Sequence, residues 1–122
     1  MSDKWKFVVP DSAQMLNGKW YTARIDEPQK EWLKGELDGT PKSTHVMIVS
    51  HIPILSACIF EWAKSENGLR TVQNSLMHAD SHTVQAILRA YSQVKLCING
   101  HLHMLDKVSH DGPDTYHRDR SP

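Results

Sequence analysis

The stretch Val94-Lys95-Leu96-Cys97-Ile98-Asn99-Gly100-His101-Leu102-His103 leads from an apolar segment into two histidines. The apolar segment predicts a buried strand, and residues two apart in an extended chain point to the same side. We therefore expect the imidazoles of His101 and His103 to converge on one point, with Gly100 letting the backbone pass close to whatever lies there. Because histidine is the commonest metal-binding side chain, this stretch predicts a metal site.

A second strand-like segment, residues 44–50, precedes His51-Ile52-Pro53. Its apolar run lacks strict alternation, which predicts a strand covered on both faces. Residues 80–91 repeat apolar side chains at helical spacing, so the strand, the helix and residues 94–99 predict a right-handed crossover with parallel strands. The carboxyl ends of such strands form the edge where α/β folds place their ligands, so we expect His51 beside the other two histidines.

The segment upstream of residue 44 predicts a strand, a tight turn and a helix. Residues 5–9 form a strand-like run that Pro10 stops, and Asn17-Gly18 is typical of a tight turn. Asp26 is the predicted N-cap of a helix that Gly39 ends, with a capping-box pattern in its first turn.

The other segments give weaker patterns. Residues 55–66 predict a helix, residues 69–79 an irregular segment, and residues 104–108 one more strand. We expect residues 1–110 to form one domain. The polar tail, residues 111–122, contains few apolar side chains and is predicted to be disordered.

Composition narrows the classes of partner. The 122 residues carry 14 basic and 14 acidic side chains, a balance that predicts no nucleic-acid partner. No signal peptide or membrane span is visible in the sequence, so we expect no membrane partner and a cytoplasmic chain, although a fragment would not carry the targeting signal of its parent. Cys58 and Cys97 are far apart in the sequence and belong to no CxxC pair, and Cys97 is expected to be buried and reduced.

Two motifs resemble those of a known family. The run Val46–Pro53 is similar to the apolar strand ending in SHxP, and residues 99–103 to the GHxH motif, of the calcineurin-like metallophosphoesterases. The segments 9–12 and 25–33 also resemble that family, whose strand ending in LDS precedes a helix of similar sequence. Pro10 stands where the family usually has leucine. The resemblance covers about residues 5–110.

The resemblance implies the C-terminal part of a layered α/β sandwich. It also implies a centre of two divalent metal ions (Mn, Fe or Zn) that hydrolyses phosphate mono- or diesters. His51 and His101 would bind one ion and His103 the other, with Gly100, His78 and Asp80 near the site. The substrate would be a small phosphate ester or nucleotide. The GDxxD and GNH[DE] motifs of the family's N-terminal half are absent. The Asp-x-His of this sequence, Asp80-Ser81-His82, follows the SHxP motif instead of preceding it, so it does not match the family's N-terminal DxH motif and half of the metal ligands are missing. A complementary N-terminal half is therefore an expected partner.

Several alternatives remain open at the level of sequence. The histidines could be solvated loop residues, and His78 could cap the helix that follows it. Asp11 is a predicted turn-former before it is a substitute ligand. The four tryptophans predict core or an exposed interface. The chain is accordingly a fragment of a metal-dependent phosphoesterase, expected to be inactive alone, or a non-catalytic remnant or partner-dependent subunit that binds metal weakly.

Overall fold

A five-stranded sheet with two helices on one face organises the chain. The computed structural model describes residues 4–109 and 113–118. Within these ranges the strands are β1 (Lys4–Val8), β2 (Ala13–Leu16), β3 (Trp20–Ala23), β4 (Thr44–Ser50), β5 (Lys64–Glu66), β6 (Leu69–Thr71), β7 (Val94–Asn99), β8 (Leu105–Val108) and β9 (Asp114–Arg118). The helices are α1 (Glu27–Asp38) and α2 (Ser81–Arg89), and a 3₁₀ helix spans Cys58–Trp62.

The main sheet has the strand order β1-β4-β7-β9-β8. The first four of these strands run parallel to one another, and β8 pairs antiparallel with β9. The predicted crossover from β4 through α2 to β7 is confirmed, with Ile48 opposite Cys97 and Ser50 opposite Asn99. The hairpins β2–β3 and β5–β6 form two small separate sheets.

Helix α1 begins and ends where the sequence predicts. The Gln29 N–H donates to the Asp26 carboxylate at 3.0 Å, as in an N-cap, and Gly39 is the C-cap. The Gln29 side chain does not complete a capping box. It exchanges two hydrogen bonds with the Asp11 backbone instead, at 2.8 and 3.1 Å, and thereby ties the start of α1 to the turn after β1.

The buried core lies between the helices and one face of the sheet. Its members include Leu33 and Leu37 of α1, Val84 and Leu88 of α2, and alternate strand residues Val8, Val46, Ile48 and Cys97. Residues of β4 on the opposite face are only half-buried, and Phe7 of β1 is exposed. The expectation that β4 is covered on both faces is therefore wrong for the described residues, in which both helices pack on the same side.

Two further expectations differ from the structure. Residues 55–66 form only a short 3₁₀ helix followed by β5, since the Asp106 carboxylate holds the backbone at Ala57 and Cys58 in a turn, at 2.6 and 3.3 Å. The tail predicted to be disordered contains β9, whose backbone pairs with β7 and β8. Residues 110–112 and 119–122 lie outside the described residues.

The helices of the described residues are all too short or too polar to cross a membrane.

Candidate metal centre

Two of the three predicted metal ligands lie together at the carboxyl ends of β4 and β7. His51 directly follows β4, and His101 lies two residues beyond β7. The Nε2 atom of His51 is 3.2 Å from Nδ1 of His101. Their rings meet edge to face, with centroids 4.9 Å apart and planes at 72°. The parallel register of the two strands places the histidines there, as the sequence predicts.

Hydrogen bonds next to the His51 and His101 rings join the carboxyl ends of β4 and β7. The Gly100 N–H donates to the His51 carbonyl at 3.0 Å, which joins the two motifs directly. The buried Ser50 hydroxyl lies 2.9 Å from both the Asn99 side-chain carbonyl and the Ile52 carbonyl, so it can donate to either of them. A Cβ at Gly100 would meet the His51 carbonyl at 3.8 Å, an ordinary contact, so this approach does not require glycine.

The backbone after β7 differs from the extended chain that the sequence predicts. Residues 101–104 form bends, and His101 and His103 have φ angles of 81° and 55°. The argument that side chains two apart point to the same side is therefore wrong here, because it holds only in extended chain. Left-handed backbone is costly for residues other than glycine and concentrates at functional sites. Leu102, between the two histidines, is buried and anchors this bend.

The surroundings of His101 favour its neutral form. Burial lowers the pKa of this imidazole below its ordinary value of 6.5, and the neighbouring His51 lowers it further. The Ser75 backbone acts in the opposite direction, and His103 contributes a smaller lowering. A neutral imidazole keeps a lone pair on one ring nitrogen, the form that binds a metal ion.

The 3.2 Å between the two ring nitrogens is a hydrogen-bond distance, at which the N–H of one ring can donate to the nitrogen of the other. The same separation would allow both nitrogens to contact one zinc ion at Zn–N distances of about 2.0–2.1 Å, with an angle of about 100° at the ion. Among the described side chains, those of residues 4–109 and of Pro113, no group of three His, Cys, Asp or Glu is arranged to hold a metal ion. His103 is exposed and forms no such group with the pair, and none of these side chains supplies a bridging carboxylate.

His78 and Asp80 lie in a buried cluster beside the turn that follows His51. His78 is 1% exposed, and its backbone N–H donates to the Pro53 carbonyl at 2.9 Å, in the turn after His51. The Asp80 carboxylate contacts the Lys30 ammonium at 3.0 Å and accepts from the Ile25 N–H at 3.2 Å. Asp80 precedes α2 but makes no side-chain capping bond there. These residues therefore hold the His51 turn and α1 together.

Sequence reasoning missed two residues that complete the surroundings of the pair. The Tyr21 ring lies edge-on to His101 with centroids 6.3 Å apart. The Ser12 hydroxyl accepts from the Ile52 N–H at 3.1 Å and so fixes the residue after His51. Both come from the segment around the β2–β3 hairpin, and no local pattern indicated that this hairpin approaches β7. Asp11 is a turn-former as predicted, since its carboxylate accepts from the Ala13 N–H at 3.1 Å.

Among solved structures, a dimetal phosphatase from Danio rerio is similar to this chain. The match covers 78% of the chain with a TM-score of 0.58 and 21% sequence identity. It spans 27% of the length of the phosphatase chain. No protein-family model and no curated protein match the sequence. The parallel sheet and its helices are therefore similar in fold to part of a dimetal phosphatase.

Proposed function

We propose that this chain carries one part of a two-metal site that hydrolyses small phosphate esters or nucleotides. The observation that carries the proposal is the pair of imidazole nitrogens 3.2 Å apart at the ends of two parallel strands. The likeness in fold to part of a dimetal phosphatase supports the same chemistry. The SHxP and GHxH motifs end the same two strands.

Each residue has a defined part in this proposal. His51 and His101 would hold one divalent ion through their ring nitrogens, and His103 would hold the second. Bound divalent ions activate water and stabilise the charge of a phosphoryl transition state. Gly100 and Ser50 keep the strand ends in register, while the Tyr21 ring lies edge-on to His101.

A partner must supply the remaining ligands. Two dications about 4 Å apart repel strongly unless a bridging carboxylate or hydroxide offsets their charge. Neutral imidazoles contribute no such charge, and the described residues place no carboxylate beside the histidine pair. We therefore propose a complementary chain bearing the DxH, GDxxD and GNH[DE] motifs as the partner.

The second candidate function is a non-catalytic subunit that binds metal weakly. The observation that favours it is that, among the described side chains, no third His, Cys, Asp or Glu joins His51 and His101 in a group that could hold a metal ion. Two protein ligands leave an ion mostly hydrated, so it would exchange readily and support no turnover.

Assays of p-nitrophenyl phosphate and bis-p-nitrophenyl phosphate hydrolysis with Mn²⁺ or Zn²⁺ distinguish the phosphoesterase part from the non-catalytic subunit. We expect only background rates from the 122-residue chain, because catalytic groups that act as a unit lose most of their rate when one is missing. We expect turnover when a complementary chain that carries the family's N-terminal DxH, GDxxD and GNH[DE] motifs is added. His101→Ala should abolish that turnover, whereas His82→Ala, which changes an exposed histidine on α2, should not.

Metal binding to the wild-type chain without turnover in any combination would favour the non-catalytic subunit. Turnover by the chain alone that disappears in His101→Ala would contradict the need for a partner. Complemented turnover that survives His101→Ala would exclude this histidine from the site.

A further inference from the structure

A cavity of about 340 Å³ opens beside the β5–β6 hairpin. Its volume lies at the small end of the range for ligand pockets, so it can hold one ring system but not a whole nucleotide. The residues that line it have no part in the proposed metal centre, and only one of them is charged. They are Trp62, Lys64, Thr71, Val72, Gln73 and Leu76.

The hairpin brings the polar lining residues together. Lys64 at the start of β5 is paired directly with Thr71 at the end of β6. Residues opposed in this way in an antiparallel pair have neighbouring side chains on one face of the sheet. Trp62 stands two residues before Lys64, and Gln73 two residues after Thr71, and both line the same cavity. An aromatic ring, an ammonium, a hydroxyl and an amide therefore border one space.

A single β-turn separates this cavity from the metal centre. The turn runs from Gln73 to Leu76, whose N–H donates to the Gln73 carbonyl at 3.1 Å. Both ends of the turn line the cavity, whereas the Ser75 backbone at its tip interacts with the His101 ring. The first and last Cα atoms of a β-turn are less than about 7 Å apart. The cavity and the histidine pair thus lie on two sides of a wall that is one turn thick.

The same turn is joined to β3. The Asn74 carbonyl accepts from the Ala23 N–H at 2.7 Å. Ala23 lies two residues after Tyr21, whose ring is edge-on to His101. Backbone hydrogen bonds therefore set the position of the cavity relative to the histidine pair.

We propose that this cavity binds the nucleobase of a nucleotide whose phosphate is hydrolysed at the metal centre, an inference that rests on the function proposed above. The base stacks on the Trp62 ring, which is 45% exposed. Thr71 and Gln73 hydrogen-bond to the edges of the base, and the Lys64 ammonium favours an anionic ligand. The sugar that joins the base to the phosphate crosses the turn.

The chemistry of the lining selects a base over other parts of a phosphate ester. Every base has a π-face that stacks on an aromatic side chain. A sugar or an alkyl chain has no such face. A purely apolar ring would remove water from the Thr71 hydroxyl and the Gln73 amide without replacing its hydrogen bonds, which weakens binding. A nucleobase satisfies both the Trp62 ring and the two polar side chains.

Titration of the full chain with AMP and with CMP, followed by NMR spectroscopy without added metal, tests the proposal. The chain has four tryptophans, and the indole N–H signal of Trp62 is the one missing from Trp62→Phe. We expect at least one of the two nucleotides to shift this signal in a saturable way. Ribose 5-phosphate, which has no base, should leave it unchanged. Trp62→Ala should raise the dissociation constant of the nucleotide about tenfold, as expected for the loss of one stacked base.

Trp32→Ala is the matched control. Trp32 on α1 is 44% exposed, nearly the same as Trp62, but does not line the cavity. Its substitution should leave the dissociation constant unchanged. Equal weakening by the two alanine variants would overturn the proposal, as would a Trp62 signal that neither nucleotide moves.

The binding measurement and the hydrolysis assay can fail separately. Complemented turnover of p-nitrophenyl phosphate without a nucleotide-dependent shift of the Trp62 signal would overturn the cavity assignment and leave the phosphoesterase proposal intact. A saturable shift without turnover in any combination would support a nucleobase site but overturn its part in hydrolysis.

Discussion

At the scale of single residues, the buried contacts of Asp80 join α1, α2 and the segment after β3. Its carboxylate lies 17% exposed beside a Lys30 side chain that is 7% exposed, and it also accepts from the Ile25 N–H. Water cannot replace such a partner, because both groups are largely removed from solvent. This differs from the ion pair of Lys34 with Glu31, whose side chains are 43% and 71% exposed.

Asp80→Asn should therefore destabilise the protein. The amide keeps an oxygen for the Ile25 N–H but removes one of the two carboxylates that Lys30 contacts, the other being that of the exposed Glu27 at 2.8 Å. We therefore expect a loss of about 1–2 kcal/mol in the free energy of unfolding. Urea denaturation measures this loss. Glu31→Gln is the matched control and should leave the free energy of unfolding unchanged within error, as expected of an exposed pair. Equal effects of the two substitutions would contradict the argument.

The buried His78 predicts a dependence of stability on pH. Burial lowers the pKa of this imidazole below 6.5, and the negative charge of Asp80 opposes that change only in part. The unfolded chain binds a proton near its ordinary pKa, whereas the folded chain binds it only at lower pH. Stability is therefore complete above about pH 6.5 and falls as the pH drops from there toward the folded pKa.

Urea denaturation between pH 5 and pH 8 tests this dependence. The free energy of unfolding of the wild-type chain should decrease below about pH 6.5, and His78→Gln should make that decrease shallower. His82→Gln, at an exposed position on α2, is the control and should keep the wild-type slope. A slope unchanged by His78→Gln would assign the dependence to other groups.

At the scale of elements, signals within a few residues predicted the structure well, and contacts between distant segments did not. Local sequence patterns predicted three features that the structure confirms: the Asp26 cap of α1, the end of α1 at Gly39 and the β4–α2–β7 crossover. The turn after residue 55 depends on Asp106, 49 residues away from Ala57, and β9 depends on the backbone of β7 and β8. Neither contact can be predicted from the local sequence.

The candidate site shows the same division. The carboxyl ends of β4 and β7 were predictable, so His51 and His101 were expected to meet. The left-handed backbone at His101 and His103 was not, because residues other than glycine rarely adopt it; it lies beside the buried Leu102 and the Gly100–His51 hydrogen bond. The sequence therefore indicated which strands build the site but not how the loop directs each ring.

The N-cap of α1 offers a test at this scale. Asp26→Ala removes the acceptor of the Gln29 N–H and should lower the free energy of unfolding by about 1 kcal/mol. Thermal denaturation followed by circular dichroism measures the change. Asp26→Ser retains an acceptor oxygen and should recover most of the loss. Equal destabilisation by both substitutions would show that the carboxylate acts through something other than the cap.

At the scale of the whole molecule, the histidine pair links metal binding to the integrity of the sheet. The two nitrogens come within 3.2 Å only when β4 and β7 are paired, since the residues are 50 positions apart in the chain. An ion held by both rings thus binds the folded chain in preference to the unfolded one. Any ligand with this preference raises the stability of the fold.

Zn²⁺ should therefore raise the melting temperature of the wild-type chain. At 100 times the dissociation constant the gain is about 2.7 kcal/mol, or roughly 10 °C for a chain of this length, and binding by histidines of the unfolded chain reduces it. Calorimetry with increasing Zn²⁺ measures the shift. It should vanish in both His51→Ala and His101→Ala and persist in His82→Ala, which removes one exposed histidine but leaves the pair. A shift of equal size in all four proteins would place the ion elsewhere, because only the pair depends on the register of β4 and β7.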